Sequence, residues 1–293
     1  MTSTVGERIS ELAEPGFLGA SAAYSFVSVM FETILRGQPL APIFKLQEIK
    51  DEAFSRFWIN FSGARDTSNA DPSAPVPEPV GSSALIPPLL AHADGVVLDI
   101  GPGTGTQTQL FTNQNLRVMY GAEPCLGLHK DLHAKVESCG LSSKYQILHC
   151  GAQTESLLPA LKKAGVLDDA TNEGRGLFDT IVCVRVLCSV PAPEKTVKGL
   201  YDLLKPGGKM LVCEHVVNPW TTAKGSTIAR LVQAIYGLSG WRFFMGGCNL
   251  DRDTEHTLRA VANVDGGWES IDLESSFTLG PLPYVSGTLV KRG

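Results

Sequence analysis

From Leu85 onward, short apolar runs alternate with longer stretches that carry apolar residues on one helical face. The runs at 96–100, 117–122, 145–150, 178–184 and 208–217 read as buried strands, and the stretches near 104–113, 127–139, 153–164 and 193–204 as helices. Such alternation builds a parallel sheet covered on both faces. An insertion follows at 218–250, then a helix at about 252–263 and two closing strands at 268–277 and 284–291. The expected fold class is α/β.

The chain upstream is organised differently. Residues 1–61 read as helical, forming a cap or lid, and 62–84 as a linker rich in Ser, Ala, Asp and Pro, leaving 85–293 as the main domain. Between Gly16 and Leu35, Ser21, Ser25, Ser28 and Glu32 share one face, with Ala20, Tyr24, Val27, Phe31 and Ile34 opposite. A membrane-spanning helix would be apolar all round for about 20 residues. Packing onto the protein's own core is therefore favoured over peripheral contact with a membrane, since only Arg36 is cationic nearby. The second segment, Pro42 to Phe61, is aromatic, with Phe44, Phe54, Phe57, Trp58 and Phe61. As a lid, the cap would be needed for turnover but not for cofactor affinity. The same helices could build a homodimer.

Composition narrows the partners. A hydrophobic fraction of 43% and a net charge of −5 fit an ordinary globular protein and give no support for nucleic acid as a partner. Met1 to Glu14 is polar, with Glu7, Glu11 and Glu14, unlike a secretory leader. The seven cysteines lack C-x-x-C spacing, which favours a reducing, cytoplasmic setting and gives no reason to expect a metal.

The candidate chemistry lies at strand ends, where open α/β sheets bind ligands. The first strand runs through Asp99 into Gly101-Pro102-Gly103-Thr104-Gly105, and the third glycine of a dinucleotide fingerprint would fall on Thr106. Glycines there let backbone N–H groups come close to a ligand. The Asp99 carboxylate either orders that turn or meets the cationic end of a ligand. Glu123-Pro124 closes the second strand, where a carboxylate can accept hydrogen bonds from both hydroxyls of a ribose. Ala152-Gln153 after the third strand suits an adenine edge, and Val184-Arg185-Val186 closes the fourth beneath it. Arg185 is either a cation turned to solvent or a contact to cofactor or substrate. His215 ends the fifth strand as a candidate general base or a packed core imidazole.

Leu98 to Gly105, Val186-Leu187-Cys188-Ser189-Val190, Leu204-Lys205-Pro206-Gly207-Gly208 and Glu214-His215-Val216 occur in the order seen in class I S-adenosylmethionine-dependent methyltransferases, which residues 94–292 resemble. With Gly246-Gly247-Cys248-Asn249-Leu250 and Arg252, the likeness extends to the group containing the animal alkyl-thiol methyltransferases. Members of that group carry a more hydrophobic N-terminal anchor. The resemblance implies a Rossmann-like sheet of seven strands with the last antiparallel, and S-adenosylmethionine as cofactor. Its binding residues would be Asp99, Gly101, Pro102, Gly103, Thr104, Gly105, Glu123, Pro124, Ala152, Gln153, Val184, Arg185 and Val186, with His215 catalytic. Trp220, Tyr236, Trp241, Phe243 and Phe244 would help cover the cleft, favouring a small lipophilic or aromatic acceptor with a thiol or hydroxyl. A nicotinamide-dependent oxidoreductase is disfavoured by the glycine spacing and the lack of Tyr-x-x-x-Lys. A cofactor-binding scaffold or cofactor-assisted cyclase on the same fold is the competing reading.

Overall fold

The computed structural model describes residues 5–63, 78–167 and 176–293. Most of the Pro-rich linker and of the segment Asp168 to Gly176 lies outside the described residues. Seven strands form one sheet: β1 (Gly95–Ile100), β2 (Leu116–Ala122), β3 (Tyr145–Leu148), β4 (Phe178–Val184), β5 (Leu204–His215), β6 (Ser270–Ser276) and β7 (Tyr284–Val290). Their order is β3-β2-β1-β4-β5-β7-β6. The first five are parallel, β7 runs antiparallel to β5, and β6 antiparallel to β7. Strand order reverses between β1 and β4, so the carboxyl ends of these two strands open a crevice.

The two-residue period of the strands sorts the core into two layers. Leu98, Ile100, Ile181, Cys183, Met210 and Val212 pack on one face, while Val97, Val182, Val184, Leu211 and Cys213 pack on the other.

Ten helices flank the sheet among the described residues. They are α1 (Val5–Leu35), α2 (Ala41–Phe44), α3 (Leu46–Gly63), α4 (Ile86–Leu90), α5 (Leu126–Ser138), α6 (Thr154–Lys163), α7 (Pro193–Leu203), α8 (Thr227–Leu238), α9 (Trp241–Phe244) and α10 (Thr254–Ala260). Two expectations need correction. The stretch 104–113 is not a regular helix but a set of turns with one 3-10 turn at Thr108–Leu110. Its Thr and Gln residues are poor or neutral helix formers, and Gly105 sits at φ +77°.

The second concerns α1. Its packed side is Ala22 and Val29, with Phe26 and Met30 half-buried, whereas Tyr24, Val27 and Phe31 of the expected core face are exposed. The helix is apolar on more than one side, and the side with small residues lets neighbouring helices come close. Ser10–Leu35 is long and apolar enough to cross a membrane by length and composition, with a mean hydropathy of 1.4. An ion pair between Arg56 of α3 and Glu32 (2.8 Å) ties α3 to α1.

Candidate active site

The glycine turn after β1 stands at the crevice. Gly101 and Gly103 both have φ near +61°, where an L side chain is strained. A Cβ on Gly101 would lie 2.5 Å from Val186 Cγ2, and one on Gly103 would lie 2.6 Å from Trp58 Nε1. Trp58 belongs to α3, so the N-terminal helices reach the turn itself. The Thr104 hydroxyl fixes this contact by donating to Ser62 Oγ (2.9 Å).

Glu123, at the end of β2, accepts the Gly103 N–H at Oε2 (2.9 Å) and the Cys125 N–H at Oε1 (2.8 Å). Burial raises its pKa, and those two N–H groups, with His129 and His149, oppose that rise. Asp99 is buried behind the turn, where the Tyr145 hydroxyl donates to Oδ2 (2.8 Å). Its Oδ1 has no hydrogen-bond partner among the described residues. Burial lifts the carboxyl pKa to about 7; the Tyr145 hydrogen bond opposes this and the nearby Glu123 charge adds to it.

A cavity of about 1630 Å³ runs from Gly101, Gly103 and Glu123 to the ends of β4 and β5. Phe54, Phe57, Trp58 and Phe61 of α3 line one wall, and Trp241, Phe243 and Met245 line another. Arg185 enters from β4 at φ +56°, unusual for a residue with a side chain. Its guanidinium donates to Ser82 Oγ (2.8 Å) and Ser83 Oγ (3.1 Å) and lies 5.7 Å from the Tyr284 ring centre. It is thus held within the cavity wall and not turned to solvent.

His215 is buried at the end of β5, with Nε2 3.2 Å from Cys248 Sγ. The Trp241 indole N–H donates to the same sulfur (3.2 Å), and Cys188 Sγ lies within 4.8 Å of it. Burial works against charge on the imidazole. The Cys188 sulfur and the Glu214 carboxylate work for it, and the balance leaves His215 above an ordinary histidine. Glu214 Oε1 accepts the N–H groups of Val186 (2.8 Å) and Leu187 (2.9 Å), fixing the loop that presents Cys188. Arg252 donates to Leu187 O (2.5 Å) in the same loop.

Of the residues singled out from the sequence, Gly101, Gly103, Glu123, Pro124, Arg185, Val186 and His215 line this cavity. Pro102, Thr104 and Gly105 support the turn from outside the wall, as Asp99 does from behind. Ala152 packs into the core and Gln153 begins α6, both away from the cavity wall. Val184 faces the second core layer, because its side chain falls on the opposite phase of β4 from Cys183. Of the aromatics expected over the cleft, Trp241 and Phe243 line it, while Trp220, Tyr236 and Phe244 do not. Ser82, Ser83, Cys188, Cys248 and Tyr284 were not assigned a role from sequence, yet all line the cavity. Cys188, His215 and Cys248 converge from distant chain positions, a proximity that cysteine spacing along the sequence does not show.

The residues fit S-adenosylmethionine. The positive-φ turn leaves no room for side chains at Gly101 or Gly103, and an acidic fork stands at the end of the neighbouring strand. The turn and Glu123 would hold its methionine and ribose portions respectively.

Comparison with known proteins gives the same picture. A family model described as a methyltransferase domain matches residues 82–261. Human thiol S-methyltransferase TMT1B is 32% identical over 87 residues, covering 30% of this chain and 33% of that protein. Human thiol S-methyltransferase TMT1A is 30% identical over 116 residues, 40% of this chain and 45% of that protein. The matched segments thus span less than half of the length of these relatives. Among solved structures, the [4+2]-cyclase SpnF superposes with a TM-score of 0.52 at 14% identity, covering 83% of this chain and 96% of SpnF, a likeness of fold alone. With the family model spanning more than half of its length on a seven-stranded sheet of this topology, the chain belongs to the S-adenosylmethionine-dependent methyltransferases of class I.

Proposed function

We propose that the protein transfers the methyl group of S-adenosylmethionine to a small lipophilic acceptor, with a thiol as the favoured acceptor group. One observation carries the reading: a single cavity joins the glycine turn and Glu123 to His215, Cys188 and Cys248, walled by aromatic side chains. The bound cofactor supplies a methyl group activated by its sulfonium. The protein must then align the acceptor and exclude water. Glu123 and the turn fix the cofactor end. Phe54, Phe57, Trp58 and Trp241 offer apolar surface to the acceptor, suiting a lipophilic molecule.

His215 is the residue we assign to the acceptor heteroatom. A thiol, with an ordinary pKa of about 8.5, needs little help to lose its proton, whereas a phenol near 10 needs more. An imidazole set beside the Cys188 and Cys248 sulfurs is better matched to sulfur. The names of the human relatives support the same acceptor.

The test is turnover of a panel of alkyl thiols, aryl thiols and phenols with the purified full-length protein. Thiols are expected to be methylated fastest, and His215→Ala to lower kcat by about 100-fold while binding S-adenosylhomocysteine as the wild type does. Binding of S-adenosylhomocysteine without methylation of any thiol or phenol would move the reading to a cofactor-binding scaffold. We place the protein in the cytoplasm, meeting a membrane surface through the exposed apolar side of α1, from which lipophilic acceptors would arrive.

A further inference from the structure

We propose that Cys188, His215 and Cys248 bind a thiophilic divalent cation of the zinc type, whose remaining coordination position faces the cavity and takes the sulfur of the acceptor. The inference rests on the thiol reading above and gives it a mechanism of recognition. The three residues come from the loop after β4, the end of β5 and the turn after α9. Their ligand atoms all lie within 4.8 Å of one another, and all three side chains are buried yet line the cavity.

The spacing suits such a cation. Zinc sits about 2.3 Å from a thiolate and about 2.0 Å from an imidazole nitrogen, which places tetrahedral ligand atoms roughly 3.5–3.8 Å apart. His215 Nε2 is 3.2 Å from Cys248 Sγ, so a small outward adjustment would admit the ion. Two sulfurs and an imidazole select a soft or borderline cation over magnesium or calcium. Three protein ligands with an open fourth position are the arrangement of a reactive site and not of a closed structural one.

The surroundings are prepared for a charged cluster. The Trp241 N–H points at Cys248 Sγ, a donor to the sulfur that would become a thiolate. Glu214 anchors the Val186 and Leu187 N–H groups, which sets the loop that carries Cys188.

The chemistry balances. On binding the cation, Cys188 and Cys248 each release a proton to solvent. The acceptor R–SH releases its own proton to solvent through the cavity as its sulfur coordinates. That sulfur then forms a bond to the methyl carbon as the carbon–sulfonium bond breaks, giving a methyl thioether and S-adenosylhomocysteine with no change in oxidation state. His215 acts as a ligand throughout, and the cation lowers the thiol pKa.

The full-length protein, stripped with a chelator under reducing conditions, should be titrated with Co(II) and then Zn(II). One equivalent of Co(II) is expected to bind, giving thiolate-to-metal charge transfer and the intense visible bands of a tetrahedral site. Zn(II) should displace it, and a simple alkyl thiol should shift the cobalt bands. Cys188→Ser and Cys248→Ser should each weaken binding at least about tenfold, and His215→Gln should do the same. All three variants should keep wild-type S-adenosylhomocysteine affinity, which also reports that they are folded. Equal Co(II) binding by the wild type and by Cys188→Ser/Cys248→Ser would overturn the site. Cobalt bands indifferent to thiol would overturn the open position. Failure of the wild type to bind S-adenosylhomocysteine would instead overturn the methyltransferase reading, leaving the metal titration to be judged separately.

Discussion

Two carboxylates near the glycine turn face opposite demands. Asp99 is fully buried, with one hydroxyl for company and a pKa lifted to about 7. An acid whose folded pKa lies above its unfolded value binds its proton more tightly in the folded state. Its contribution to stability is therefore favourable at low pH and is lost as pH rises from about 4 to about 7, then stays lost. At 1.36 kcal/mol per pKa unit, the cost above pH 7 is at most about 4 kcal/mol. Asp99→Asn keeps an acceptor for Tyr145 and removes the charge. It should stabilise the cofactor-free protein in urea unfolding at pH 8, with a smaller gain at pH 5. A loss of stability at pH 8 would show that the carboxylate is charged and well held. Glu123 differs, because its oxygens are held by two N–H donors at the crevice. Glu123→Ala should weaken S-adenosylhomocysteine binding by about 10- to 100-fold in calorimetry, the loss expected for hydrogen bonds to a charged group. Glu123 could be found from sequence because a strand end and its spacing from a glycine turn are local features. Cys188 and Cys248 could not, since what unites them is the packing of three elements far apart in the chain.

Among the elements, α3 changes most between sequence and structure. Its aromatic content suggests a cover, and its position makes it part of the glycine turn's packing as well. Trp58 Nε1 lies 2.6 Å from where a Cβ on Gly103 would sit, and Ser62 accepts the Thr104 hydroxyl. A detachable lid would leave cofactor affinity intact; an element built into the turn would not. Removal of residues 1–63 should therefore abolish turnover and also weaken S-adenosylhomocysteine binding, by more than about tenfold if the Trp58 contact and the Thr104 bond are both lost. Retention of full affinity in the truncated protein would restore the lid. The sheet was readable because five apolar runs with helical stretches between them admit few arrangements. The stretch after β1 forms turns because Gly105 takes φ +77° and its threonines are weak helix formers.

For the whole molecule, the open question raised by the surface is what meets α1. Phe17, Tyr24 and Phe31 fall seven residues apart, hence on one side of the helix, and are 75%, 74% and 57% exposed. On α8, Ile228, Leu231, Ile235 and Leu238 are exposed in a second stripe. The Tyr236 hydroxyl donates to Leu12 O (2.9 Å), so the two helices are joined. Sequence periodicity assigned the α1 stripe to the core because it shows which residues share a face but not which of two apolar faces is covered. Burying a large apolar side chain is worth about 1.5–3 kcal/mol, so three aromatics entering a lipid interface supply enough to hold a protein there. The protein should float with neutral phosphatidylcholine vesicles in a density gradient. Phe17→Ser/Tyr24→Ser/Phe31→Ser should remain at the bottom, with S-adenosylhomocysteine affinity unchanged because none of the three lines the cavity. Flotation unaffected by the triple substitution would remove α1 from the contact. Absence of flotation together with sedimentation as a dimer, reversed by the same substitutions, would assign the stripe to a second copy of the chain.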